Sequence, residues 1–180
     1  MYSSTLLLLA SPLALAASLP PRALCLSTLP LFIIPNLEYS SLIQYSNPAH
    51  MSVSRANIDF NITGHTTSAC AGAASGQTSS GAFFAFPSPI DCNEADGSAI
   101  ETTFSYAGPS RTLQINETWI CEGDQYLATA TQALDLSCKG NLWQNPEWTE
   151  GEIYSSESVT CAPARVTMEP KITKVGPAGV

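Results

Sequence analysis

From residue 52 onward, apolar and polar side chains alternate along short stretches of the chain. Ile58, Phe60 and Ile62 are separated by Asp59 and Asn61, and residues 100–106, 113–121, 134–138 and 153–161 continue the alternation. Successive side chains of a β-strand point to opposite faces, so each stretch predicts a strand with one buried and one solvated face. Clusters of Gly, Pro, Asn and Asp separate the stretches, which favours turns. We therefore predict an all-β domain over residues 52–170, an antiparallel β-sandwich or β-barrel with disulfides.

The first 18 residues have the pattern of a signal peptide. Residues 5–17 are apolar and include four consecutive leucines, a stretch too short to span a bilayer. Ala14 and Ala16 place small residues at the two positions that a signal peptidase reads, so cleavage is expected after Ala16, Ala17 or Ser18. The sequence therefore predicts a secreted, extracellular protein that has no membrane association after cleavage.

Residues 19–51 are rich in proline and are predicted to be unstructured. The prolines are Pro20, Pro21, Pro30, Pro35 and Pro48. At that density they break a helix, and the apolar residues between them do not alternate as in a strand. Three explanations fit: a propeptide, a linker, or an artefact of the gene model that would leave Cys25 outside the folded protein. The last ten residues, 171–180, are predicted to form a flexible tail.

The charge of the chain excludes one class of partner. Its 7 basic and 15 acidic residues give a formal net charge of −8. Such a surface repels nucleic acid and anionic lipid, and the sequence contains no basic patch to offset it. We therefore expect no nucleic-acid partner.

The cysteines predict disulfides. Five of the six lie in the polar part of an exported chain: Cys70, Cys92, Cys121, Cys138 and Cys161. In that context cysteines usually form bridges and not metal sites or nucleophiles. We expect Cys70 to pair with Cys92, and Cys121 with Cys138 or Cys161, the last three pointing into the core. If Cys25 is lost, one cysteine is left over and could stay buried or link a homodimer.

Two N-glycosylation sequons are present, Asn61-Ile62-Thr63 and Asn116-Glu117-Thr118. Both asparagines fall on the polar face of their predicted strands. A glycan needs an outward asparagine, so the alternation and the sequons are consistent with each other.

No arrangement of residues predicts catalysis, a cofactor or a metal site. His65 lies in a Gly/Thr turn, where we expect it to be solvated and not to act as a base or ligand. Glu147, Glu150 and Glu152 could supply the two carboxylates of a glycosidase, but acidic loop residues are common in a chain of this charge. We therefore predict that the protein is not an enzyme.

The tryptophans offer a candidate ligand contact. Trp119 lies on an apolar strand face and is expected in the core. Trp143 and Trp148 flank Asn145-Pro146 in a predicted loop, where exposed indoles could stack on sugar rings. The simpler alternative is a loop that its aromatic residues hold against the sheet.

The chain resembles small secreted fungal proteins of the AA1-like family, which is named after the major Alternaria allergen. The resemblance is carried by residues 113–121 (LQINETWIC), 134–138 (LDLSC) and 158–161 (SVTC). It implies a β-barrel or sandwich, secretion, disulfides and in some members dimerisation, with a role as allergen or host-interacting effector. We accordingly predict a non-enzymatic, effector-like or allergen-like protein that binds a host protein or small ligand. The alternative is a carbohydrate- or cell-wall-binding module.

Overall fold

The computed structural model describes residues 31–49, 52–76, 83–94 and 100–177, and all regular secondary structure in these ranges is β. This confirms the all-β prediction. The twelve described strands are β1 Phe32–Tyr45, β2 Ser52–Thr63, β3 Thr67–Gly76, β4 Phe86–Asp91, β5 Asn93–Glu94, β6 Glu101–Ala107, β7 Thr112–Cys121, β8 Asp124–Ala133, β9 Cys138–Gln144, β10 Ser155–Cys161, β11 Ala164–Met168 and β12 Lys171–Pro177. No described helix has the length and apolarity needed to cross a membrane.

The strands form two antiparallel sheets that pack face to face. The first sheet has the order β5-β3-β2-β1-β10-β9, with β11 also paired to β1, and the second has the order β12-β8-β7-β6-β4. Aromatic rings of the two sheets pack against each other. The ring centroids of Phe60 and Phe104 are 5.0 Å apart, and those of Tyr39 and Tyr106 are 5.8 Å apart. The fold is therefore a β-sandwich with an aromatic-rich core.

Side-chain alternation explains why these segments become strands. Along β2, Ala56, Ile58, Phe60 and Ile62 are buried, while the residues between them are exposed. Along β7, Leu113, Ile115, Trp119 and Cys121 are buried in the same way. Each sheet thus presents one apolar face, and the hydrophobic effect brings the two faces together.

The prediction that residues 19–51 are unstructured is wrong for residues 32–45. They form β1, which lies in the middle of the first sheet and pairs with β2, β10 and β11. Pro35 made this strand hard to recognise in the sequence. It lies in a bulge, where the ladder shifts register between Ile33 and Leu37 and no N–H from proline is needed. The bulge inverts the alternation: Phe32 and Ile34 are buried before it, and Leu37 is buried after it.

The predicted C-terminal tail is also mostly ordered. Residues Lys171–Pro177 form β12, which pairs with β8 at an edge of the second sheet. The local pattern contains little sign of this strand, because an edge strand needs few buried side chains and most residues of β12 are exposed. The predicted signal peptide and Cys25 lie outside the described residues.

The disulfides confirm one predicted pair and correct the other. Cys70 is bonded to Cys92, as expected. Cys138 is bonded to Cys161, so the predicted pairing of Cys121 with either of them is wrong. Cys138 and Cys161 are direct neighbours across β9 and β10, which brings their sulfur atoms together. Cys121 is disulfide-bonded too, and no described cysteine is free.

Candidate functional site

Strand β9 is exposed on both faces, unlike the other long strands of its sheet. Every residue from Lys139 to Gln144 is exposed. Leu142 is 75% exposed and Trp143 is 46% exposed, and the two point to opposite faces of the strand because they are consecutive. Leu142 is the most exposed of the large apolar side chains among the described residues, and Trp143 adds an exposed indole next to it in sequence. We call residues 138–144 the β9 projection.

The row of side chains that contains Leu142 shows where the sandwich ends. Leu142 lies opposite Glu157, which lies opposite Ile43, which lies opposite Ser54. Ile43 and Ser54 are buried under the second sheet, Glu157 is half-buried, and Leu142 is open to solvent. The cover of the second sheet therefore ends between β1 and β9, and the β9 projection extends beyond it.

The row that contains Trp143 lies on the outer face of the first sheet. Trp143 lies opposite Ser156, which is followed by Gln44 on β1 and Val53 on β2. Val53 is exposed, and the other two side chains are half-buried. The indole of Trp143 thus shares the outer face of the first sheet with Ser156, its direct neighbour, and with Gln44 and Val53 further along the row.

Trp148 has a different role from Trp143. Its indole Nε1 donates to the carbonyl oxygen of Glu152 at 3.0 Å, and its ring packs edge-on against Tyr154 at 5.8 Å. Tyr154 in turn donates its backbone N–H to the carbonyl oxygen of Tyr45 at the end of β1. Trp148 is therefore half-buried and holds the β9–β10 loop against the sheet. A cleft of about 500 Å³ beside it is lined by Ser46, Asn47, Trp148, Glu150 and Gly151.

The loop carboxylates are arranged to order the loop. Glu152 Oε2 accepts from Asn145 Nδ2 and from the backbone N–H of Thr149, each at 3.2 Å. Glu147 and Glu150 are exposed on the same loop. Glu152 thus stabilises the loop through hydrogen bonds, a role that the sequence analysis did not predict.

His65 is not the solvated turn residue that the sequence suggested. Its side chain is 8% exposed, and its Nδ1 lies 3.0 Å from Oε2 of Glu117, which is 2% exposed. The Glu117 carboxylate also accepts the backbone N–H of His65, and the His65 ring packs edge-on against Trp119 with centroids 4.3 Å apart. The turn between β2 and β3 is therefore tied to β7 of the opposite sheet by a buried, charge-assisted contact.

The neighbouring Gly64 shows how closely this contact is packed. A Cβ at Gly64 would lie 2.7 Å from Oε1 of Glu117 and 2.9 Å from Cε1 of Phe32. A methyl group at this position would therefore force the Glu117 carboxylate or the Phe32 ring to move, which would disturb the contact with His65. The cluster resembles a structural clamp more than an open reaction site.

Sequence reasoning missed both Glu117 and Leu142, although each left a signal. Glu117 stands at an odd-numbered position between Ile115 and Trp119, on the face that the alternation assigns to the core. Leu142 directly precedes Trp143, and two consecutive large apolar residues in a strand must place one on each face. The alternation of apolar and polar residues is therefore interrupted twice. Glu117 places a charged residue on the buried face, and Leu142 with Trp143 places apolar residues on both faces.

The sequon asparagines lie on outer faces of the two sheets. Asn61 is exposed on β2. Asn116 is half-buried on β7, where its Oδ1 accepts from Thr129 Oγ1 at 2.9 Å and from Gln114 Nε2 at 3.4 Å. Neither of these bonds uses Nδ2 of Asn116, which is the atom that would carry a glycan.

Comparison with known proteins identifies one family. The sequence model of Alternaria alternata allergen 1 matches residues 34–161, a range that begins inside β1 and ends at the last residue of β10. No curated protein and no solved structure matches the chain. The matched range includes both described disulfides and the β9 projection.

Proposed function

The chain belongs to the Alternaria alternata allergen 1 family and is allergen-like, and from this premise we propose that it is secreted, non-enzymatic and effector-like. It acts by binding a host protein or a small ligand outside the cell. The cysteines support export, because paired cysteines are typical of secreted domains. The fold supplies a rigid platform on which contact residues are held.

One observation carries the proposal that the protein works by contact. Leu142 and Trp143 are exposed on opposite faces of the β9 projection, beyond the cover of the second sheet. Tryptophan is among the residues that most often dominate the binding energy of protein interfaces. Exposing these side chains has no benefit for the isolated sandwich, whereas a partner would bury them.

Binding to proteins of host extracellular fluid tests this function. Trp143→Ala and Leu142→Ala should each lower the affinity for a captured host protein about tenfold or more, as truncation of an interface hot spot does. Val175→Ala is the matched control, because Val175 is a similarly exposed apolar residue on β12, an edge strand of the other sheet. Equal affinities for all three variants and the unmodified protein would contradict the proposal.

A carbohydrate- or cell-wall-binding module is the second candidate. The supporting observation is that the indole of Trp143 is exposed beside the polar side chain of Ser156, and an exposed aromatic ring can stack on a sugar ring. Trp148 contributes less, because its indole N–H already has a protein acceptor. Loss of glycan-array binding in Trp143→Ala, with Trp148→Phe retaining it, is the expected result for this candidate.

Export and glycosylation are tested together by mass spectrometry of protein collected from the culture medium. We expect a mature N-terminus at Ala17, Ser18 or Leu19 and glycans on Asn61 and Asn116. Asn61→Gln and Asn116→Gln should each remove one glycan. Finding the protein inside the cell with residues 1–18 still attached would contradict export.

A further inference from the structure

We propose that the free edge of β9 binds an extended cationic segment of a partner protein, which adds to the first sheet as a further strand. This inference rests on the proposed function, because it states how the β9 projection makes its contact. The proposed function requires only the side chains of Leu142 and Trp143, whereas the present inference also requires the backbone of β9. The two can therefore fail separately.

The hydrogen bonds that flank β9 show which backbone groups are free. The N–H of Ala162 donates to the carbonyl of Ser137, and the N–H of Asn145 donates to the carbonyl of Tyr154. Both bonds obey the register of the β9–β10 ladder and involve odd-numbered residues of this segment. Hydrogen-bonded and non-hydrogen-bonded pairs alternate in an antiparallel ladder. The N–H and C=O groups of Gly140, Leu142 and Gln144 therefore point away from β10, and no described strand pairs with them.

Three other edge strands of the described sheets carry protective features that β9 lacks. Strand β4 contains Pro87 and Pro89 and has a register shift, and β5 is two residues long. Strand β12 contains two lysines and a proline and also shifts register. Prolines, bulges, charges and short length are the usual devices against edge pairing. Strand β9 has seven regularly paired residues, no proline, and Lys139 as its single charged residue.

A second copy of this chain fits the edge poorly. Since the free groups belong to even-numbered residues, two antiparallel copies can pair only with even residues opposite even residues. In one such register Leu142 lies opposite Leu142 of the second copy, and Trp143 then lies opposite Asn141. In another, Trp143 lies opposite Trp143, and Leu142 then lies opposite Gln144. No such register buries both apolar side chains against apolar partners.

Charge favours a cationic segment. Glu157 lies directly opposite Leu142 on the neighbouring strand, and Glu147 and Glu150 are exposed in the loop that follows β9. Only Lys139, at the far end, opposes them, and the whole chain has a net charge of −8. An extended segment of alternating apolar and basic residues would place apolar side chains beside Trp143 on one face. On the other face it would place lysine methylenes over Leu142, with their ammonium groups near Glu157.

Nuclear magnetic resonance with a defined peptide tests the inference on the unmodified, full-length secreted protein. The probe is an eight-residue peptide of alternating valine and lysine, and the matched control replaces each lysine by glutamate. We expect the valine–lysine peptide to shift the amides of Gly140, Leu142 and Gln144 saturably and to slow their hydrogen exchange. The amides of β12 should not change, and the glutamate peptide should bind at least about tenfold more weakly.

N-methylation of the peptide separates strand addition from side-chain contact. In an added strand only alternate residues of the peptide donate to β9, so methylating one alternate set should weaken binding about tenfold or more and methylating the other should not. Leu142→Pro should weaken binding more than Leu142→Ala, because proline also removes an outward N–H while sparing the ladder to β10.

Three results would overturn the inference: no saturable shift with the valine–lysine peptide, equal weakening by both methylated peptides, or a concentration-dependent dimer that protects the same amides without peptide. If Trp143→Ala lowers host-protein binding but both methylated peptides bind equally, the proposed function stands and strand addition falls.

Discussion

Tyr106 shows how a single buried hydroxyl limits the conditions under which this sandwich is stable. Its side chain is fully buried, and no hydrogen-bond partner reaches its hydroxyl group. Desolvation, together with the nearby Tyr39, raises the pKa of Tyr106 to about 12, and the positive charge of Arg111 partly opposes this rise. The unpaired hydroxyl therefore has a small cost in its neutral form and a larger one when it must ionise.

Tyr106→Phe should remove this sensitivity. Below pH 10 the hydroxyl is neutral in both states, so its contribution is constant. Between about pH 10 and 12 the unfolded chain ionises while the folded hydroxyl does not, so stability falls as pH rises, by about 2–3 kcal/mol in total for this group. The unfolding free energy of the variant should not show this 2–3 kcal/mol decrease between about pH 10 and 12. At neutral pH the variant should be about 1 kcal/mol more stable, because it buries no unpaired hydroxyl. Urea unfolding at pH 7 and pH 11 measures both effects, and an unchanged alkaline slope would contradict the assignment.

The clamp between His65 and Glu117 makes a second prediction at the scale of single residues. Glu117→Ala removes the acceptor of the His65 backbone N–H and leaves the buried imidazole without its partner. The expected loss in unfolding free energy is about 3 kcal/mol, since the remaining polar groups stay desolvated. Glu147→Gln, on the exposed loop, is the control and should change stability by less than about 0.5 kcal/mol. Similar losses for both variants in denaturant unfolding would mean that the clamp does not stabilise the fold.

At the scale of secondary-structure elements, β1 is the strand that sequence reasoning failed to find. Alternation identified the core residues of β2, β6 and β7, because each runs through the sandwich without interruption. In β1 a bulge at Pro35 divides the alternation into two halves of opposite phase. Within the second half, Ser41 lies on the buried face and Leu42 on the other face, so residues 37–45 do not alternate cleanly in sequence although they alternate in burial. The disulfide of β9 and β10 was missed for a related reason, since pairing depends on which strands become neighbours.

Paired alanine variants within the misjudged segment test the role of β1. Leu37 is fully buried, whereas Leu31 is exposed just before the strand begins. Leu37→Ala should cost about 3 kcal/mol of unfolding free energy through lost burial and the cavity it leaves. Leu31→Ala should change it by less than about 0.5 kcal/mol. Thermal and urea unfolding give both values, and a small effect at Leu37 would remove β1 from the core.

At the scale of the whole molecule, the two described disulfides serve different purposes. Cys92 lies between β4 of the second sheet and β5 of the first, so its bond to Cys70 on β3 fixes the crossing between the sheets. Cys138 and Cys161 join two neighbouring strands of one sheet and anchor the base of the β9 projection. One bridge therefore supports the sandwich, and the other supports its exposed extension.

Removing each bridge should separate global from local stability. The double variant Cys70→Ala/Cys92→Ala should lower the global unfolding free energy by about 2–4 kcal/mol. The double variant Cys138→Ala/Cys161→Ala should mainly accelerate hydrogen exchange in β9 and β10, because opening the projection exposes little core. Exchange measured by mass spectrometry distinguishes the two patterns. Uniform acceleration across both sheets in the second variant would show that β9 is part of the cooperative core.

The sequence by itself determined the all-β class and the buried face of most strands, and it favoured the bridge between Cys70 and Cys92 that the structure confirms. Those features follow from local alternation and from spacing along the chain, which a strand imposes on its own residues. The tertiary structure alone decided the central place of β1, the pairing of Cys138 with Cys161, the burial of His65 and the exposure of Leu142. Each of these depends on which segments become neighbours and on where the second sheet stops, and such long-range packing leaves only faint traces in the local pattern.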